Sequence, residues 1–136
     1  MPGAVELALD RCVVGIAGRL SHTPIDAPDA VVLSDRDCDE RTARRLERFI
    51  AVEDGSFVWT RSGENSYFLG RIAGPWFYDA GAQGLEHARP CRWIPIPEHL
   101  VPPATLQTFA RGGRNFQQTH DAGVGAQSSA LWTTSA

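Results

Sequence analysis

The residues best suited to chemistry in this chain are suited to binding. Arg111-Gly112-Gly113-Arg114-Asn115-Phe116-Gln117 places two arginines around a glycine pair, with two amides just beyond. Forked guanidiniums meet phosphates, a glycine backbone lets a phosphate approach closely, and Asn115 and Gln117 can read base edges. The same run also satisfies an ordinary glycine turn. Trp76 and Tyr78 lie two apart and share a face if extended, with Phe77 on the other. That pattern puts Phe77 in the core and turns Trp76 and Tyr78 toward a ligand. Asp79 either accepts from the exocyclic amine of a base or caps the loop that follows. Trp59, between Val58 and Thr60, either fills the core or walls a stacking pocket. Arg71 either reaches a phosphate or lies solvated along its strand.

Reactive chemistry finds little support. All thirteen basic residues are arginine, so a lysine nucleophile or Schiff base is impossible. His22, His87, His99 and His120 show no metal-ligand spacing, and there is no nucleophile elbow or phosphate loop. Cys12, Cys38 and Cys91 are scattered without a CxxC pair, as reduced, partly buried thiols would be. The expectation is a protein that is not an enzyme and uses no metal or cofactor. Net charge is −3 but uneven: residues 1–55 carry −4, residues 56–120 carry +2, and the tail adds −1. Such a global field repels nucleic acid, so binding would need a local basic face. Arg41, Arg44, Arg45 and Arg48 have Asp39, Glu40 and Glu47 nearby and read as a solvated helix face.

These residues need a scaffold, and 136 residues suffice for one domain with a real core. Gly55 to Asp79 is its centre, holding seven of the twelve aromatics. Phe57 to Arg61 and Tyr67 to Ile72 form a hairpin across Ser62-Gly63-Glu64-Asn65, closed by Gly74-Pro75. Gly70 marks a bulge or a close backbone approach. Before the hairpin, Cys12 to Ile16 predicts a buried strand, and residues 19–36, with Pro24 and Pro28, predict a loop with a brief strand at Val31 to Leu33. Asp37 or Asp39 caps a helix to about Ala51, with Ala43, Leu46 and Ile50 on one face. After the hairpin, Cys91 to Ile96 predicts a strand ended by prolines, and Ala104 to Ala110 a short helix. The polar tail can dock a final short helix through Leu131 and Trp132. The N-terminus lacks the basic and apolar regions of a signal peptide, which points to the cytoplasm. The pattern predicts an α+β fold, a small, mostly antiparallel β-barrel with two or three short helices.

The order of pieces carries a resemblance over roughly residues 10–120. It runs Val-Val-Gly-Ile-Ala-Gly, a helix ending Arg-Leu-Glu-Arg-Phe, Gly-Ser-Phe-Val-Trp-Thr-Arg, then Tyr-Phe-Leu-Gly-Arg-Ile-Ala-Gly-Pro-Trp-Phe-Tyr-Asp, His-Ala-Arg-Pro-Cys-Arg-Trp and Gly-Arg-Asn-Phe-Gln. This resembles the EVE-like domains of the PUA superfamily, relatives of YTH and ASCH domains found in modification-dependent restriction systems. The resemblance implies a PUA-like domain over residues 1–120 with a tail at 121–136. It implies a pocket for a methylated or otherwise modified base flipped from double-stranded DNA, serving a partner nuclease or helicase. Gly15, Ala17, Trp59, Trp76, Tyr78 and Asp79 would then form the pocket. Arg71, Arg111, Arg114, Asn115 and Gln117 would hold the strand. Relatives often place an aromatic wall just after the first strand's glycine; here Ile16 and Ala17 follow Gly15, so either Trp59, Trp76 or Tyr78 supplies the wall or the pocket is modified or lost. The alternatives are an ASCH-like nucleoside amidohydrolase or nuclease, a PUA-type RNA binder, and a protein adaptor. The lack of lysine weighs against the amidohydrolase.

Overall fold

The computed structural model describes residues 3–63, 65–112, 115–118 and 122–135, and its helices and strands are mixed along the chain. In order they are α1 (Ala4–Arg11), β1 (Val13–Ile16), α2 (Ala27–Asp37), α3 (Glu40–Ala51), β2 (Phe57–Ser62), β3 (Ser66–Ile72), β4 (Phe77–Tyr78), β5 (His87–Ile96), α4 (Pro103–Ala110), β6 (Phe116–Gln117) and α5 (Ala122–Ser135). The fold is a small α+β one, built on a curled antiparallel sheet that forms half of a barrel. The sheet runs β1-β5-β3-β2-β6. β5 is its spine: residues 87–90 pair with β1, and residues 91–96 pair with β3. β4 joins β5 at His87 and Ala88, on the side away from β1.

The aromatic hairpin forms as its residues require, in unbroken register from Phe57↔Arg71 to Ser62↔Ser66. Gly70 is therefore a close approach and not a bulge. A Cβ there would lie 2.6 Å from the Trp93 ring and 2.7 Å from Cys91 Sγ. Alternation along the strands then separates two faces. Trp59, Tyr67, Leu69, Ile94 and Ile96 turn to one side, where Phe109 of α4 and Trp132 of α5 cover them. Val58, Ile72 and Cys91 turn to the other, with Val14, and meet Phe49 and Val52. The α2–α3 pair buries its own cluster of Leu20, Ala30, Leu33 and Leu46.

Helix α3 follows the sequence pattern closely. Asp39 caps it by accepting from the Thr42 amide at 2.7 Å, and Ala43 and Leu46 are buried. Its C-terminal end is fastened by a residue on β5. Arg89 is almost fully buried and donates to the carbonyls of Phe49 (3.2 Å), Val52 and Gly74 (3.0 Å), while Nη2 reaches Asp54 at 2.7 Å. A buried cation in this position satisfies the last carbonyls of a helix and suits its negative end.

Three expectations need correction. Residues 19–36 are not a loop with a strand: most of them form α2. Asp26 caps it by accepting from the Asp29 amide at 2.9 Å, and Pro28 sits in the first turn, where no amide is missed. With α1 also present, five helices are described, not two or three. β5 ends at Ile96 as expected but starts at His87, four residues before the expected Cys91, and holds both Pro90 and Pro95. Ile72 bonds to Ser56 across β2, so alternation along β3 turns the Pro95 nitrogen away from its partner strand. The tail is α5, and its Ser128 and Trp132 belong to the core. No described helix is long and apolar enough to cross a membrane.

Candidate functional site

Curling the sheet brings its two ends, β1 and β6, to the same cleft of about 1090 Å³. Val14, Val58 and Ile72 make an apolar floor. One wall is α3, which contributes Arg45, Arg48 and Phe49, with Val52 just past its end. The three helical residues are spaced at i, i+3 and i+4 and so share one helix face. The facing wall runs from Asn115 through Phe116 and Gln117, and Leu85 and Ala17 close the remaining side.

The β6 wall is held in place from within. Thr60 Oγ1 donates to the Asn115 carbonyl at 2.7 Å. The Phe116 ring lies 6.0 Å from that of Trp93, whose Nε1 donates to the Val13 carbonyl at 2.9 Å. Trp93 thus braces both ends of the sheet. Gly15 is required where it stands, because a Cβ would lie 2.6 Å from the His87 carbonyl oxygen and 3.1 Å from Leu85. The Cys91 amide donates to the Cys12 carbonyl, so alternation turns the Gly15 N–H and C=O away from β5, toward the open edge of β1. A donor and an acceptor are therefore presented beside an apolar floor.

Arg45 and Arg48 are the ionisable residues lining the cleft among those described, and both are exposed at its rim. Behind the cleft, buried Glu86 accepts from the amides of Gly18 (3.2 Å) and Gly84 (3.3 Å), tying the end of β1 to the turn before β5. Its neighbour His87 is also buried. Trp76 Nε1 donates to His87 Nδ1 at 3.2 Å, so the neutral ring carries its proton on Nε2. That Nε2 lies against the Gly18 backbone with no partner in hydrogen-bond geometry. Burial lowers the His87 pKa, opposed by the Gly18 backbone and the Glu86 charge. Burial also pushes the Cys91 thiol up to about 12, so it stays protonated and inert. Among the described residues no group of three His, Cys, Asp or Glu could hold a metal ion.

The residues expected to form a pocket divide sharply. Of these, Gly15 and Ala17 line the cleft, and Asn115 and Gln117, expected to hold the strand outside the pocket, join them there. Trp59 does not: it is fully buried on the opposite face, with Nε1 donating to Ser128 at 3.0 Å. Trp76 and Tyr78 turn inward against His87, with ring centroids 6.1 and 5.4 Å away, while Phe77 is the exposed one. The two faces of that dipeptide are thus exchanged relative to expectation. Asp79 acts as the loop cap, accepting from the Gly81 amide at 2.9 Å and pairing with Arg11 at 3.1 Å. Arg71 lies on the far face, donating to the Gly55 carbonyl at 3.1 Å. Arg111 ends α4 outside the cleft, and Arg114 lies outside the described residues.

The aromatic walls are instead Phe49 and Phe116, and the rim cations are Arg45 and Arg48. None of these was singled out for the site from sequence. A signal was present, however: a helix face reading Arg-x-x-Arg-Phe is basic and aromatic where a purely structural face would be aliphatic. No family model, curated protein or solved structure matches this chain.

Proposed function

We propose that this chain is a nucleic-acid-binding module, a PUA-like domain of the EVE type, that takes a flipped, modified base into the cleft between β1 and β6. The carrying observation is the joint placement of apolar floor, aromatic walls and arginine rim around one opening. Flipping a base from a duplex costs a few kcal/mol, and each stack on an aromatic ring returns about 1–3 kcal/mol. Phe49 and Phe116 therefore suffice to offset extrusion. The Gly15 peptide edge, Asn115 and Gln117 would read the base, and Arg45 and Arg48 would hold the flanking phosphates. A methyl group settling on the apolar floor adds about 0.8 kcal/mol. The described lining has no carboxylate, imidazole, thiol or hydroxyl to move a proton or attack a bond, which supports binding over catalysis. The module would then lend specificity to a separate nuclease or helicase.

Fluorescence anisotropy with one duplex, unmodified or carrying 5-methylcytosine, N6-methyladenine or 5-hydroxymethylcytosine, tests this directly. One mark should bind at least several-fold more tightly, and Phe116→Ala should remove that gain with the fold retained. Equal, salt-sensitive binding to every duplex would reduce the protein to a backbone binder. No binding at low salt would favour the adaptor.

A further inference from the structure

The face of the sheet away from the cleft ends in an arrangement that strand chemistry ordinarily avoids. Arg71 on β3 and Arg92 on β5 are register partners, so their side chains stand on one face about 5 Å apart at Cβ. Like charges placed directly opposite repel. Both arginines are exposed, and neither joins an ion pair among the described residues. Asp54, on the turn beside Arg71, is engaged by Arg89 at 2.7 Å.

The two cations are nevertheless held in place. The Arg71 guanidinium lies 5.3 Å over the Phe57 ring, and its Nε is tied to Gly55. The Arg92 guanidinium lies 5.8 Å over Trp132. Phe57 and Trp132 meet edge to face at 6.0 Å. These four side chains form a continuous row of three contacts, from Arg71 through Phe57 and Trp132 to Arg92. Stacking fixes a guanidinium by its plane and leaves N–H groups at its edge for an acceptor.

We infer that Arg71 and Arg92 form a second binding site, for a phosphate group, and that its ligand is the phosphodiester backbone of a nucleic-acid strand. A phosphate cancels the repulsion of the pair and has enough oxygens to bridge both forks. The strand as source rests on the nucleic-acid reading of the cleft; the phosphate site itself does not. Because the two sites lie on opposite faces, this one adds affinity without reading a base.

The test uses the full chain, as wild type, as R71Q/R92Q, and as R36Q/R41Q, which removes the same charge from the helical layer. Binding of an unmodified oligothymidylate is followed by anisotropy across a salt series. The slope of log affinity against log salt should become shallower by about 0.7–1.4 in R71Q/R92Q, for one or two phosphates released. The control should keep the wild-type slope. An unchanged slope in R71Q/R92Q, or an equal change in the control, overturns the site. Circular dichroism reports folding; should the double variant unfold, R71Q and R92Q singly should each give part of the change. Inorganic phosphate separates the sources. If it raises the melting temperature of wild type but not of R71Q/R92Q, while wild type binds no oligothymidylate, the strand assignment is overturned in favour of free phosphate. Discrimination between marked and unmarked duplexes should survive in R71Q/R92Q. Its absence from wild type would count against the cleft and leave the slope result standing.

Discussion

The two faces of this sheet use aromatic residues to opposite ends. On one, Trp59, Tyr67 and Phe109 are sealed beneath α4 and α5, and the one buried indole N–H among them has its partner in Ser128. On the other, Phe49 and Phe116 stand around a cleft that no described element covers, braced by half-buried Trp93. Neighbouring residues on β2 serve the two sides in turn: Val58 floors the cleft and Trp59 fills the sealed core. The difference is made by covering helices and not by residue type. An aromatic count therefore locates the sheet and says nothing about which side stays open.

The largest expected effect tests that division. Trp59→Ala should destabilise the fold by about 3–5 kcal/mol in urea denaturation, since a large buried side chain is lost and a cavity remains. Phe49→Ala, at a half-buried position in the cleft wall, should cost less, about 1–2 kcal/mol. It should instead weaken nucleic-acid binding by roughly 5- to 150-fold, the worth of one base stack. Equal stability losses at the two positions, with binding untouched by Phe49→Ala, would erase the distinction between a sealed and a working face.

How much of this was visible in the sequence depends on the range of the interaction. The hairpin and α3 were legible because Ser62-Gly63-Glu64-Asn65 and the Asp39 cap act within a few residues. Helix α2 was not, because Pro24, Pro28 and the aspartates around them are loop signals that also start helices. Period-two alternation correctly separated Phe77 from Trp76 and Tyr78, yet it could not say which side faced inward. That depended on His87, nine residues or more away. The cleft lies furthest from local reading. It joins Gly15 on β1 to Asn115 beside β6, two segments far apart along the 136-residue chain. The stripe of Arg45, Arg48 and Phe49 was present in the sequence, but its meaning came from what the curl placed opposite it.

A smaller effect should appear on the cleft side alone. Burial holds the folded-state pKa of His87 below its usual 6.5. As pH falls through 6.5 the unfolded chain takes up a proton that the folded chain refuses, so the unfolded state binds more protons. Stability should therefore decline from about pH 6.5 downward and level off once pH passes below the folded-state pKa. Glu86 and the Gly18 backbone limit the size of the drop. Urea midpoints measured between pH 7.5 and 5 should show it. His87→Gln, whose amide oxygen can still accept from Trp76, should flatten the profile over that range. An identical pH profile in that variant would mean His87 contributes nothing to it.

The smallest effect concerns Cys12, at the junction where α1 hands the chain to β1. Its φ of 56° and ψ of 53° place it in the left-handed region, the conformation that ends many helices and that glycine adopts without penalty. The residue is exposed, and its thiol enters no hydrogen bond or disulfide among the described residues. Replacement therefore changes the backbone term almost alone. Cys12→Gly should leave the midpoint unchanged or raise stability by up to about 1 kcal/mol, the strain relieved being offset by a more flexible unfolded chain. Cys12→Val, β-branched and poorly tolerated at positive φ, should lower it. Because Cys12 immediately precedes β1, a loss of binding in either variant that exceeds its change in stability would show that the β1 edge must be held in register for the cleft to work. Loss of binding only in proportion to unfolding would confine Cys12 to the scaffold.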